Sequence, residues 1–231
     1  MASDTTGVAT AVDDAIRSRK TVRAFRPDPV PRACLVEILD MARMAPSTFN
    51  TQPWRAYVLV GEAKRALTEA ILRAHEAGSE PSFSPFPQPQ PPDCAARQDE
   101  FGRLYYNALG IERSDMAARA RRTARNFAFF DAPVGLIFTI DSTLTRHSWL
   151  DCGLFLQNLM LAAHVRGIAT CPQVVFVRYQ NVIAANLRLG SDESVVCGMS
   201  LGYAEEEAAV NRLAMPREPL ENFTRWLGFD A

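Results

Sequence analysis

The sequence predicts an α+β fold. Strand-like segments at 56–60, 134–140 and 194–203 are few and far apart. Helical segments outnumber them, and one stretch, 149–165 (WLDCGLFLQNLMLAAHV), is apolar on nearly every face. Few strands scattered among many helices favour a sheet covered by helices over an alternating βαβ chain.

In chain order, a first helix is expected at 11–18. A second begins after Val30, with Pro31 suited to its first turn, and ends before Pro46. Strand 56–60 leads into a helix at 62–76. The proline-rich stretch 78–93 (GSEPSFSPFPQPQPPD) has no periodicity and reads as a partly extended loop. Helices follow at 95–108 and 113–130, the latter stopping before Pro133. Strand 134–140 reads as buried. The apolar helix 149–165 is expected to be buried all round, in a core or a subunit interface, with a central position favoured, and Gly167 suits its C-terminal cap. TCPQVVF is expected to be a loop, 179–189 a helix, 194–203 a strand and 220–227 a last short helix.

At 231 residues and 48% hydrophobic residues, the chain is able to bury a sizeable core. A net charge of −1 leaves no global field to recruit nucleic acid or an anionic membrane, so neither is expected as a partner. The segment 149–165 is shorter than a typical span and holds Asp151, Gln157, Asn158 and His164. Cys34, Cys94, Cys152, Cys171 and Cys197 are odd in number and contain no C-x-x-C pair. That argues for reduced thiols and a cytoplasmic location rather than a disulfide framework or a zinc site. The first residues lack a basic run and a long apolar run, so no signal peptide is expected.

Familiar catalytic signatures are missing. Neither G-x-G-x-x-G nor G-x-x-x-x-G-K-[ST] occurs. Residues 198–202, GMSLG, match G-x-S-x-G, but that elbow needs a later histidine, and His75, His147 and His164 all precede Ser200. Tight packing in a strand explains the two glycines better. No histidine has ligand-spaced partners, so no metal is expected.

Two segments carry more chemistry. Residues 17–25, RSRKTVRAF, place Arg17, Arg19, Lys20 and Arg23 around Thr21 at the end of the first helix. Guanidiniums give bidentate, charge-assisted bonds to phosphate oxygens, with Phe25 expected as the anchor. Residues 45–54, APSTFNTQPW, join a helix to a strand, where about 2–6 residues with no special chemistry would serve. Small hydroxyl and amide residues between two prolines instead bring backbone and polar donors close to a ligand. Trp54 is expected to pack this loop onto the core. Residues 211–221, NRLAMPREPLE, add Arg212 and Arg217.

Together, RKTVRAF (19–25), APSTFNTQPW (45–54), GIATCPQ (167–173) and NRLAMPREPLE (211–221), in that order, resemble the FMN-dependent nitroreductase family of the NAD(P)H-dependent, oxygen-insensitive type. The likeness runs from about residue 12 to the end. It implies a central, mainly antiparallel sheet flanked by helices and an intertwined homodimer with two FMN sites at its interface. It also implies ping-pong hydride transfer from NADPH or NADH through flavin N5 to a nitroaromatic or quinone-type acceptor. On the matching positions, Arg19, Lys20, Thr21 and Arg23 fall on phosphate and ribityl contacts, and Arg217 on the arginine that closes over the phosphate. Pro46, Ser47, Thr48 and Asn50, with Gln52 as a further polar contact, line the isoalloxazine across the dimer interface. Pro172 and Gln173 meet the flavin near N5 and O4. No side chain is assigned as catalytic, because the flavin carries the chemistry. Arg125 and Asn126 are candidates for the reduced ring's N1/O2 edge. Residues 1–231 are expected to form one domain with an insert, about 75–120, that acts as a lid and offers Phe83 and Phe86 to the acceptor. Related readings are reductive dehalogenation, enone reduction, flavin cleavage or a non-catalytic flavin-binding dimer.

Overall fold

The computed structural model describes residues 5–78 and 89–229. Its centre is a four-stranded sheet made of β1 (Arg55–Leu59), β2 (Val134–Asp141), β3 (Ala169–Gln173) and β4 (Glu193–Gly202). The order is β1-β2-β4-β3, and every pairing is antiparallel. The expected loop at TCPQVVF is therefore corrected. Its first part is edge strand β3, and residues Val174–Tyr179 form a 3-10 turn. Pro172 masks the strand signal, yet an edge strand tolerates a residue without an N–H.

Alternation along the strands divides the core into two layers. On one face Leu136, Phe138, Met199 and Leu201 pack with helices α2 (Arg32–Ala42) and α6 (Arg146–His164), through Leu35, Ile38, Phe155 and Leu159. On the other, Ile137 and Val195 meet Phe127, Phe129 and Phe176, together with α3 (Gly61–Glu76) and α7 (Gln180–Leu187). The first helix, α1, spans Thr5–Ser18, longer than the expected 11–18. Two further helices follow, α4 (Pro92–Ala108) and α5 (Met116–Ala124), and α8 (Leu220–Phe223) lies near the C-terminal end.

The expected helix at 113–130 is shorter. It starts at Asp115, whose carboxylate accepts from the Ala118 amide, and closes at Ala124. Beyond it Phe129, Phe130 and Asp131 all take positive φ, an arrangement that costs non-glycine residues energy. Both phenylalanine rings are buried, and that burial holds the turn in place. Gly135 and Gly198 are explained by the same aromatic layer. A Cβ on Gly135 would lie 2.8 Å from the Phe129 ring, and one on Gly198 would collide with the Phe176 ring.

Within one chain, helix α6 is covered on one face only. Phe155, Leu159 and Ala163 face the core, but Leu150 is 67% exposed, and Trp149, Leu154 and Val165 are also open. Gly167, at φ 71°, ends the helix as its position predicts, with the Ile168 amide donating to the Ala163 carbonyl. Among the described residues, no helix is long and apolar enough to cross a membrane.

Candidate functional site

The basic strip follows α1 directly and lies along the sheet edge. Thr21 bridges Thr170 of β3 in parallel, and the Val22 amide donates to the Thr170 carbonyl. Buried Val22 is the main anchor, and Phe25 is only partly covered. This register brings Arg19, Lys20, Thr21 and Arg23 beside the strand that carries Pro172 and Gln173.

Arg217, distant in sequence, returns to the same place. Arg19 is partly buried, and its basicity is lowered first by burial and then by the positive charge of Arg217. Arg217 itself donates to the carbonyls of Met215 and Pro216. Among the described residues neither guanidinium has a carboxylate partner. Two cations held together without a counter-charge suit an anion. A phosphate monoester fits this donor set. His164, at the end of α6, joins the cluster. The Ser18 hydroxyl donates to the Asp14 carbonyl, so Ser18 Oγ accepts from His164 Nε2 at 2.7 Å. Burial, followed by Arg19 and Lys20, holds this imidazole below its ordinary range.

The loop after α2 is built differently. Phe49, Asn50 and Gln52 take positive φ. Thr48 is held by Asp151 of α6, whose carboxylate accepts from the Thr48 amide at 3.1 Å and its hydroxyl at 3.4 Å. Asp151 is only 3% exposed. Ser47 Oγ accepts from the Gln52 amide, and the Gln52 side chain donates to Asn50. Trp54 stacks on Phe155 at 4.8 Å, as expected of the residue that fixes the loop. Pro46, Thr48, Asn50 and Gln52 are exposed and Ser47 partly so, while Phe49 is 99% exposed.

Cradle and loop do not meet within one chain. The cradle touches α6 at His164 and the loop touches it at Asp151, which places the two contacts roughly 20 Å apart along the helix. The open apolar residues Leu150 and Leu154 lie between or beside them on the same helix.

Gln173 has a specific internal role. Its side chain accepts from Ser200 Oγ at 2.6 Å and donates to the Asn126 carbonyl at 2.7 Å. Only its backbone is left to meet a ligand, while Pro172 is exposed. The same bond disposes of the serine-nucleophile pattern, since Ser200 is fully buried and donates to Gln173. Cys171, also on β3, is pushed up to about 11 by burial, so its thiol stays protonated near neutrality. All five cysteines are free.

Sequence reasoning missed two residues that grip Arg23. Asn211 accepts from the Arg23 amide at 2.8 Å and donates to the carbonyls of Ala24 and Glu205. Arg122 of α5 donates to the Arg23 carbonyl at 3.2 Å. Asn211 opens the 211–221 segment, but its role depends on backbone atoms of the distant strip, and no local motif marks Arg122. Arg125 pairs with Asp131 at 2.5 Å, and the Asn126 side chain donates to the Thr123 carbonyl. Both N1/O2 candidates therefore already have internal partners. Phe83 and Phe86 lie outside the described residues. A cavity of about 540 Å³ beside α4 is lined by Phe101, Tyr106, Arg113 and Arg119.

Comparison with known proteins decides the family. The model described as "Nitroreductase family" matches residues 16–203. The chain belongs to the nitroreductase family. It is 50% identical over 218 residues to a 4-nitrobenzoate reductase of Pseudomonas putida, covering 94% of this chain and 96% of that one. It is 45% identical over 219 residues to a chloronitrobenzene nitroreductase of Comamonas testosteroni, covering 94% and 96%. Its fold superposes with TM-score 0.91 on the FMN-dependent nitroreductase NfnB from Mycobacterium smegmatis, solved in complex with NADPH. That pair is 33% identical and covers 95% of this chain and 99% of that one. The family's fold is thus shared along nearly the whole chain, as the four ordered motifs imply.

Proposed function

We propose that this chain is an FMN-dependent nitroreductase that oxidises NADPH or NADH, reduces nitroaromatic or quinone-type acceptors, and works as a cytoplasmic homodimer with two shared flavin sites. The relatives' printed substrates, 4-nitrobenzoate and chloronitrobenzene, support the nitroarene class. Bound FMN would supply the redox chemistry, relaying hydride from the nicotinamide to the acceptor.

The residues of the chain have simpler tasks. Arg19, Lys20, Thr21, Arg23 and Arg217 would hold the phosphate and ribityl chain. Pro172 and the Gln173 backbone would border the ring, and Pro46, Ser47, Thr48, Asn50 and Gln52 would line the ring held by the second copy. Residues 1–231 would act as one domain, with the insert shaping acceptor choice around Phe101 and Tyr106.

The observation that carries the shared site is the placement of cradle and loop towards opposite ends of α6, with exposed apolar residues along the same helix. Phe49 adds support. A phenylalanine that is fully exposed and held at φ 51° has no structural reason within one chain, whereas a second copy packed on it would supply one.

Subunit complementation tests this reading. Arg19→Ala/Arg217→Ala removes only the cradle, and Thr48→Ala/Asn50→Ala only the loop. If each flavin draws on both copies, refolded mixtures contain heterodimers with one intact site out of two. Activity should then recover to about a quarter of the parent's, by random pairing of a symmetric dimer. Mixtures no more active than the two variants alone would defeat the shared-site reading. Failure of anaerobic NADPH and NADH to bleach the bound flavin of the parent protein would defeat the enzymatic one.

A further inference from the structure

Arg122 is an expensive residue for its place. It is 7% exposed, and among the described residues no carboxylate pairs with it. Burying a guanidinium without a counter-charge carries a large desolvation penalty. A methionine or leucine would fill similar space without that penalty. The compensation comes entirely from neutral groups. Nε donates to Tyr105 Oη at 2.7 Å, and Nη2 donates to the Arg23 carbonyl at 3.2 Å. The guanidinium also lies 5.5 Å from the Tyr105 ring centroid and 5.2 Å from that of Phe130.

Both hydrogen-bond partners lead to Arg23. Its own guanidinium lies across the Phe101 and Tyr105 rings, at 5.3 and 5.2 Å, and those rings stack on each other at 5.4 Å. Tyr105 is thus shared by two cations, one from the strip and one from α5. The Arg23 backbone is gripped on both sides, its amide by Asn211 and its carbonyl by Arg122. Lys20 in the same strip shows no comparable support among the described residues.

We infer that Tyr105, from the insert, and Arg122, from the end of α5 just past it, are positioning residues that preset Arg23 for the FMN. The insert therefore serves the cofactor as well as the acceptor, and it does so through one side chain of the strip. This inference rests on the reading of Arg23 as an FMN contact.

The test is a double-mutant cycle on apoprotein, titrated with FMN and followed by flavin fluorescence. Arg122→Met keeps bulk and removes the donors. It should weaken FMN binding about tenfold, the scale of one charge-assisted hydrogen bond. It should also shift the midpoint potential of the bound flavin to more negative values, which a purely structural defect would not do. Arg122→Lys should recover part of both. On an Arg23→Ala background the further loss should vanish, because Arg122 acts through Arg23. FMN affinity and potential like the parent's in Arg122→Met, or losses that simply multiply in the double variant, would overturn the inference. If Arg23→Ala alone leaves FMN affinity intact, the reading of Arg23 falls instead, and the two failures are distinct. Should Arg122→Met not fold, Tyr105→Phe carries the same cycle. It keeps both ring contacts and deletes only the acceptor, and it should weaken FMN by about threefold on the parent background and not on Arg23→Ala.

Discussion

The two polar regions tied to helix α6 solve opposite problems. Near its C-terminal end, Arg19, Arg217 and Lys20 gather positive charge beside His164 that the described residues do not neutralise. Towards its N-terminal end, the 45–54 loop is neutral and nearly every polar group is already engaged, with Thr48 on Asp151 and Gln52 on Ser47 and Asn50. The first region is electrostatically incomplete and conformationally ordinary. The second is electrostatically quiet and held in positive-φ backbone. A phosphate is attracted by charge, and a flat ring is received by shape. On the proposed reading the two regions serve the two ends of the cofactor, and each invites its own perturbation.

The largest effect should come from neither region but from the face that the reading places between two copies. Leu154→Arg adds a charge to an exposed apolar position of α6 without touching the core. Leu156, by contrast, packs partly against the core, so its replacement would mix folding with assembly. The Leu154 variant should elute as a monomer and lose nearly all FMN. A monomer that retains one flavin per chain would break the comparison outright, because both regions would then serve a single-chain site.

Next in size is Arg19→Ala. Losing a charge-assisted contact costs about 1.5–3 kcal/mol, or roughly one to two decades in FMN affinity. The loss should shrink as salt is raised, since the parent's advantage is electrostatic. Riboflavin, which lacks the phosphate, should bind parent and variant alike. A riboflavin penalty as large as that for FMN would mean that Arg19 acts on the ring side.

Asp151→Ala should behave in the opposite way. It removes the acceptor for Thr48, loosening a loop whose positive-φ residues need external support. FMN affinity should change by less than about threefold, while turnover with nitroarenes falls about tenfold through lost positioning. A large loss of FMN with normal turnover by the remaining holoenzyme would erase the distinction between the regions.

How far the sequence alone reveals this depends on the kind of interaction. Charged residues cluster visibly along the chain, so the Arg19–Arg23 strip and Arg217 stand out in the sequence itself. The 45–54 loop stands out because its chemistry exceeds what a connection needs. Arg122 does not stand out, and the role of Asn211 is hidden even within its motif, because each grips backbone atoms of a segment far away in the chain. Strand β3 is hidden by Pro172, whose turn-like signal is overridden by the edge position. Helix α6 is legible as unusually apolar. Which of its faces the chain itself covers depends on the partner elements, and Leu150 stays open within one chain. The glycines of GMSLG are explained only once the Phe176 ring is seen against Gly198 and the Pro133 ring against Gly202.

The smallest expected effect concerns pH and separates the two regions by charge alone. His164 has its folded value depressed below the ordinary 6.5 by burial and then by Arg19 and Lys20. The folded chain therefore prefers the neutral ring, which donates Nε2–H to Ser18. Its contribution is fully present above pH 6.5 and is lost as the pH falls through 6.5 towards the depressed folded value, where the unfolded chain takes up the proton first. Apoprotein should lose thermal stability over that window, and His164→Gln should flatten the slope. FMN changes the balance. A phosphate beside Arg19 and Lys20 offsets the field that disfavours the imidazolium, so the slope of holoprotein should be shallower than that of apoprotein, and the two slopes should converge in His164→Gln. Asp151, buried at the other region beside a neutral loop, has no cation cluster for the phosphate to offset. The FMN-dependent part of the slope should therefore survive Asp151→Ala unchanged. Equal slopes for parent apo- and holoprotein between about pH 7 and about pH 5.5 would show that the phosphate does not sit near His164, and the cradle would have to be sought along the strip closer to Arg23.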